Sequence, residues 1–365
     1  MTLAYFVTIT MLLTYLINSA LVCYSKKPQN KEAYRFYIVL AYLVYMFVTV
    51  FRPMGPGLGG TDTWGYRNYF LSSRGSLMHG LTVQTYEKGY AFFVWFVRLF
   101  TTEYRVVLFL VHSFIFVSTV SFLKKIRFNK YSFITIMALV FLALDSINIV
   151  RIIVAVCISY YLYDALYQGR IYKALGIILL ASSVHISAVI LFVVYFIYIV
   201  KRYEKDFSLD KLMILTFVFM IGTFIAIHVM DSIINQTKYV FYDQDEGIAF
   251  PSYIMFLGVF LVSIMQYKKL VKFDKINEVL IYALSVGLVI LPLQYRYAIM
   301  YRMLLYIHPI MFTLIPAIFV EDEPSFDEHK LTKIAINCML VMFIVYRIYS
   351  FFTGELVDLG SFGGF

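Results

Sequence analysis

Apolar runs about as long as a lipid bilayer is thick recur along this chain, and that repetition limits its fold more than any motif does. LAYFVTITMLLTYLINSALVC, residues 3–23, is the first, and comparable runs follow at 34–53, 104–123, 211–230, 276–295 and 331–351. A helix that crosses the roughly 30 Å hydrocarbon core needs about 20 mostly apolar residues. The composition agrees: 61% of the 365 residues are hydrophobic and 15% are charged, against about 45–50% and about 25% in soluble domains. So few polar residues cannot cover a water-soluble globule. The expected fold is all-α, a polytopic membrane helical bundle of about 12 spans forming one integral membrane domain over residues 1–365.

The net charge of +9 belongs to loops and does not signal nucleic acid. Lys and Arg gather in short clusters at 26–35, 124–130, 170–173, 201–211, 268–275 and 330–333, as they do in cytoplasmic loops of membrane proteins. With all six clusters inside, the N-terminus is outside, and further spans fall at 131–145, 148–167, 173–184, 186–200, 252–267 and 299–319. The stretch 174–200 is split at SSVH so that Lys173 and Lys201 stay on one side. Residues 89–100 are too short to cross and are expected as an interfacial or re-entrant helix. They sit within an outer loop at 54–103, and a second outer loop falls at 231–251. The first run lacks a basic leader and an A-x-A-like site, so it reads as a permanent span. Cys23, Cys157 and Cys338 lie in apolar segments and suggest no disulfide framework.

This topology collects charge at one face. Asp62, Arg67 and Glu87 fall in the first outer loop, Asp145 and Arg151 at one outer turn, and His185 at the next. Arg296 and Arg302 flank a third outer turn, QYRYAIMYR. A charge near the centre of a spanning helix costs about 2.5–3.5 kcal/mol and marks function by default. The planar fork of Arg matches phosphate oxygens, so the arginines suit a phosphate or pyrophosphate head group on a lipid. A neighbouring carboxylate or imidazole would take a proton from a nucleophile such as a sugar hydroxyl. Trp64, Tyr66, Tyr69, Phe70, Tyr86 and Tyr90 offer flat faces to sugar rings, or form an interfacial aromatic belt. There is no H-E-x-x-H, G-x-S-x-G, P-loop or C-x-x-C, and the 6 histidines lack metal-ligand spacing.

Three blocks in this order resemble the EpsG-like group of bacterial Wzy polysaccharide polymerases. GGTDTWGYRNYF followed by YEKGYAFFVWF is similar to the family's G-x-D loop with a downstream E-P-G-[FY]. NIVRIIVAVC, running on to ASSVHISAVIL, is similar to its R-Q-x-x-A and H-x-[ST]-A pattern, and YRMLLYIHPIMFTLIP to a late R-x-x-x-Y-F…P segment. The blocks span residues 58–316, with Ile152 where the family has Gln and Lys88 where it has Pro.

The resemblance implies a membrane glycosyltransferase of GT-C-like architecture, independent of metals and cofactors. It would join oligosaccharide repeat units carried on undecaprenyl pyrophosphate, for O-antigen, capsule or exopolysaccharide, at the outer face of the bacterial inner membrane. Its partners would be the lipid-linked donor and acceptor, membrane lipid, a chain-length regulator and a flippase. Arg151, Arg296 and Arg302 would grip the pyrophosphate, or else snorkel at the interface. His185 and Asp62 are rival proton acceptors. Their alternative roles are a structural histidine bonded to a carbonyl and an Asx turn in GGTD. Arg67 and Glu87 would position substrate, or form a salt bridge that holds the loop. Tyr66 and Tyr69 would be sugar platforms or packing residues, and Asp145 would cap the hairpin helix.

Two other readings stay open. A ligase-like transferase would use the same donor but usually carries a larger late outer loop than the one at 231–251. A flippase or transporter would place charges along a mid-membrane path between inverted repeats.

Overall fold

The computed structural model of this protein describes residues 3–25, 30–54, 62–73, 87–125, 132–204, 208–234, 250–296 and 300–318. In chain order its α-helices are α1 (Leu3–Ser25), α2 (Lys31–Val50), α3 (Thr63–Ser72), α4 (Lys88–Arg98), α5 (Tyr104–Lys125), α6 (Ser132–Asp145), α7 (Val150–Tyr167) and α8 (Ile171–Val184). After a 3-10 turn at Ile186–Ile190 come α9 (Leu191–Tyr203), α10 (Leu209–Ile234), α11 (Phe250–Met265), α12 (Tyr267–Phe273), α13 (Ile276–Arg296), α14 (Tyr301–Leu304) and α15 (His308–Ile318). Among the described residues there is no strand. Each expected span up to residue 319 has most of its described residues on helix, those of 299–319 on α14 and α15 together. The last expected span, 331–351, and most of the second outer loop lie outside the described residues.

The helices differ in reach. Six stretches among the described residues are long and apolar enough to cross a bilayer: Tyr5–Ser25, Lys31–Val50, Tyr104–Lys125, Val150–Tyr167, Ile186–Tyr203 and Ile276–Gln294. The pair α11 and α12 is bent by 81°. By contrast, α6 and α8 have 14 residues each and α15 has 11. At about 1.5 Å per residue they reach about 21 Å or less, short of the roughly 30 Å core. The split expected at SSVH is present: α8 stops at Val184, and His185 stands at the break before the 3-10 turn.

These helices form two compact units. The first holds the described residues up to Leu162 together with Gly176–Val189, and the second holds Tyr163–Leu175 and those from Ile190 onward. In the first, α1 packs on α2 and α6, and α5 packs on α2 and α6. The inward stripe of α1, Phe6, Ile9, Leu13, Leu16, Ile17 and Ala20, is buried at the three- and four-residue spacing of one helix face. The other side of α2 turns Phe36, Leu43 and Phe47 outward, 63%, 57% and 66% exposed. In water such a stripe would lose about 25 cal/mol for each Å² left uncovered. Lipid is the medium that suits it.

Two short helices complete this unit. The GGTDTWGYRNYF segment, expected as loop, contains α3, because Thr63, Tyr66 and Phe70 line one face and are buried together. That face meets α4 and α5, with Phe70 5.7 Å from Tyr104 and Tyr66 5.6 Å from Tyr90, ring to ring. The other short helix, α4, covers most of the stretch 89–100 expected as an interfacial or re-entrant element. Its 11 residues reach about 16 Å, with Tyr90, Ala91, Val94 and Val97 buried and Phe92 and Phe96 exposed.

The second unit is built round α13, against which α9, α10, α11, α12, α14 and α15 pack. Gly287 permits this closeness: a Cβ there would lie 2.9 Å from both Ile307 and Phe256. Nearby, the His308 ring stands 5.3 Å from Phe256 and 5.7 Å from Tyr301. Gly287→Val should overpack this core by about 1–3 kcal/mol. The expected outcome is a lower thermal midpoint of the detergent-solubilised protein by fluorescence-detected gel filtration. An unchanged midpoint would contradict the contact.

Candidate active site

The site begins with Glu87, which precedes α4 in extended backbone (φ −63°, ψ 145°). Its carbonyl accepts the Ala91 N–H at 3.0 Å, but its carboxylate makes no capping bond to its own helix. Instead Oε2 pairs with Nη1 of Arg151, while Oε1 accepts the Ile186 N–H at 3.3 Å and lies 3.9 Å from His185 Nε2. One carboxylate therefore ties the start of α4 to the head of α7 and to the break after α8. That break is what frees the Ile186 N–H, since the first N–H groups of a helical turn have no partner within it. Gly89 lets α4 come this close. A Cβ there would be 2.7 Å from the Ser183 carbonyl oxygen and nearer still to Ser183 Oγ.

Arg151 continues the line on its other side. Its Nε donates to the Tyr66 hydroxyl at 3.1 Å, and the guanidinium lies 5.4 Å from the Tyr66 ring and 5.9 Å from that of Tyr90. An arginine only donates, so the Tyr66 oxygen accepts, and its own proton goes to Asp62 Oδ2 at 3.1 Å. Burial, followed by the opposed effects of Arg151 and Asp62, pushes the Tyr66 hydroxyl above its ordinary range. The phenol therefore keeps the proton it donates. The sequence Glu87, Arg151, Tyr66, Asp62 is a continuous polar line in which each charge faces a partner.

His185 approaches the same carboxylate from the α8 side and is 5% exposed. Its Nδ1 accepts the Ser187 N–H at 3.3 Å and lies 2.7 Å from Ser187 Oγ. A backbone N–H cannot accept, so in the neutral ring the proton sits on Nε2, on the side of Glu87.

Five of the expected residues, Asp62, Tyr66, Glu87, Arg151 and His185, are thus brought together in the first unit. The others are placed differently. Arg67 stacks over Trp64 at 5.1 Å and Glu87 pairs with Arg151, so of the two roles weighed for Arg67 and Glu87, a bridge between them gives way to two separate contacts. Tyr69 is half-buried on α3, its carbonyl taking the Ser73 N–H at 2.9 Å. Asp62 immediately precedes α3 without a side-chain cap bond. Asp145 ends α6, and its backbone carbonyl accepts the Asn148 and Ile149 N–H groups. Arg302 in α14 and Arg296 at the end of α13 belong to the second unit, and the Arg296 side chain lies outside the described residues. Sequence reading did not single out Tyr90 as the second ring under Arg151, or Ser187 as the partner of His185. Only the position of Ser187 two residues after the histidine hinted at it.

A model of the EpsG family matches residues 55–357, a stretch that includes all of these groups. No curated protein and no solved structure matches the chain.

Gly89→Ala should drive α4 away from α8 and separate Glu87 from Ile186 and His185. Because the obstacle includes the Ser183 backbone oxygen, the Gly89→Ala/Ser183→Ala pair should not recover. A loss of activity of about tenfold or more is expected for both, since misplacement of about 1 Å costs this much or more. Full recovery in the double variant would show that only the serine hydroxyl mattered.

Proposed function

From the premise that this chain belongs to the EpsG family, we propose that it polymerises polysaccharide repeat units in the membrane, moving a glycan from a polyprenyl pyrophosphate to a sugar hydroxyl. The observation that supports this most is the convergence of Arg151, Glu87, His185, Tyr66 and Asp62 in the first unit. The carrier would be undecaprenyl pyrophosphate, and the site would face the periplasm or exterior.

In this reading Arg151 binds the pyrophosphate of the donor. In the resting arrangement its charge is met by Glu87. A diphosphate that takes over the guanidinium fork displaces that carboxylate toward His185, whose Nε2–H is placed to receive it. The bond between the anomeric carbon and the diphosphate oxygen then breaks, and the electron pair leaves with the diphosphate, held by Arg151. The acceptor hydroxyl oxygen bonds to the anomeric carbon, and its proton goes to a base. Of the two rivals, Asp62 suits this role better. It is exposed, and the Tyr66 hydroxyl orients its carboxylate. His185 is buried with Nδ1 already occupied. Tyr90 and Tyr66 flank the cation with ring faces.

A deletion strain should show surface polysaccharide collapsed to a core bearing one repeat unit. Loss of even that unit would favour a ligase or a flippase. In complementation, Arg151→Ala and Asp62→Asn should fail to restore the ladder, with losses of about 100-fold or more in elongation rate. His185→Ala should leave a weakened ladder, and wild-type ladders from Arg151→Ala and Asp62→Asn would remove the site.

A further inference from the structure

Beside α3 lies a buried polar cluster that the chemistry above does not use. Arg52, just past the end of α2, is 8% exposed, and His112, in α5, is fully buried. Arg52 Nη1 donates to the Thr49 carbonyl and lies 3.2 Å from His112 Nε2, while Nη2 donates to Thr63 Oγ1 at 3.1 Å. The guanidinium has only donors, so His112 Nε2 accepts and the ring proton sits on Nδ1. That nitrogen faces Tyr45 Oη and Ser146 Oγ, each at 3.2 Å. Tyr45 donates onward to the Ala143 carbonyl at 3.1 Å, and Thr63 to the Ile147 carbonyl at 3.2 Å. Each of these bonds has one sensible direction, and together they join α2, α3, α5 and the turn between α6 and α7.

The place of Thr63 gives the cluster its meaning. It is the first residue of α3, next to Asp62, and its hydroxyl reaches Ile147 in the turn from which α7 and Arg151 start. The two ends of the Asp62–Tyr66–Arg151 line are therefore fastened to each other at Thr63, and Arg52 holds that fastening from the α2 side. Arg52 needs His112 as a seat, because a buried guanidinium must find acceptors for its donors. We propose that Arg52, seated by His112, is a positioning residue for glycosyl transfer: it sets the Asp62–Tyr66 end of α3 against Arg151. This rests on the reading of Asp62, Tyr66 and Arg151 as the reacting site.

The test uses purified full-length protein and the lipid-linked oligosaccharide extracted from the deletion strain, with initial elongation rate as readout. Arg52→Lys keeps the charge but cannot span Thr49, His112 and Thr63 at once. It should lower kcat about tenfold with little change in KM for the extract, measured below a thermal midpoint that falls by a few degrees. His112→Gln, whose amide oxygen can accept from Arg52, should keep most of the rate, whereas His112→Leu should fall as far as Arg52→Lys. The decisive measurement is a double-mutant cycle. On a Tyr66→Phe background, Arg52→Lys should cost less than about threefold, because both changes act through the same line. A full tenfold loss on that background, or a wild-type rate for Arg52→Lys alone, overturns the proposal. Wild-type rates for Tyr66→Phe and Arg151→Ala would overturn it together with the site it serves. A fall in those two with multiplicative losses in the cycle overturns the positioning role alone.

Discussion

The carboxylate of Glu87 is the contact on which the polar face of the first unit depends. It sits at the start of a helix too short to cross the membrane, and it reaches a cation on one helix and an N–H at the break of another. Three pieces of backbone meet there, at the start of α4, the head of α7 and the break after α8. A half-buried ion pair such as this one is weak evidence for stability, since desolvation and screening offset much of the attraction. Removing one member is different, because the cation left behind has lost its partner. The pair is better understood as fixing geometry than as adding strength.

Geometry of this kind was partly legible in the sequence. The apolar runs marked where helices lie, and the basic clusters marked their ends, so each expected span up to residue 319 has most of its described residues on helix. The need to keep Lys173 and Lys201 on one side was enough to place the break at His185. Asp62, Glu87, Arg151 and His185 stood out because charged or titratable groups are scarce in such a chain. Their pairing was not legible. Arg67 is nearer to Glu87 in sequence than Arg151 is, yet Trp64 occupies its guanidinium, and nothing in a linear pattern tells which cation a carboxylate will meet.

Two further features escaped for physical reasons. In α3, a Gly-rich approach and many polar residues look like loop, while the helix is specified by a face of only three residues whose value depends on burial against α4 and α5. Arg52 was invisible as a functional residue because it lies near the end of the apolar run 34–53, where an arginine reads as an interfacial anchor. Its burial appears only once His112, from a different helix, is seen to supply an acceptor. The second unit was legible to a similar depth: the run at 276–295 was recognised as a span, but not as the helix round which its neighbours gather.

The exposed side of α4 has a consequence for the chemistry at its other end. Phe92 and Phe96, about half exposed and stacked 6.4 Å apart, meet hydrocarbon tails when the protein is in a bilayer, while Glu87 is carried at the head of the same rigid rod. The buried side of that rod packs on α3 and α5, so a shift of its exposed side also shifts Glu87 against Arg151 and Ile186. Exchanging lipid for detergent around Phe92 and Phe96 therefore bears on the placement of Glu87 through one short helix.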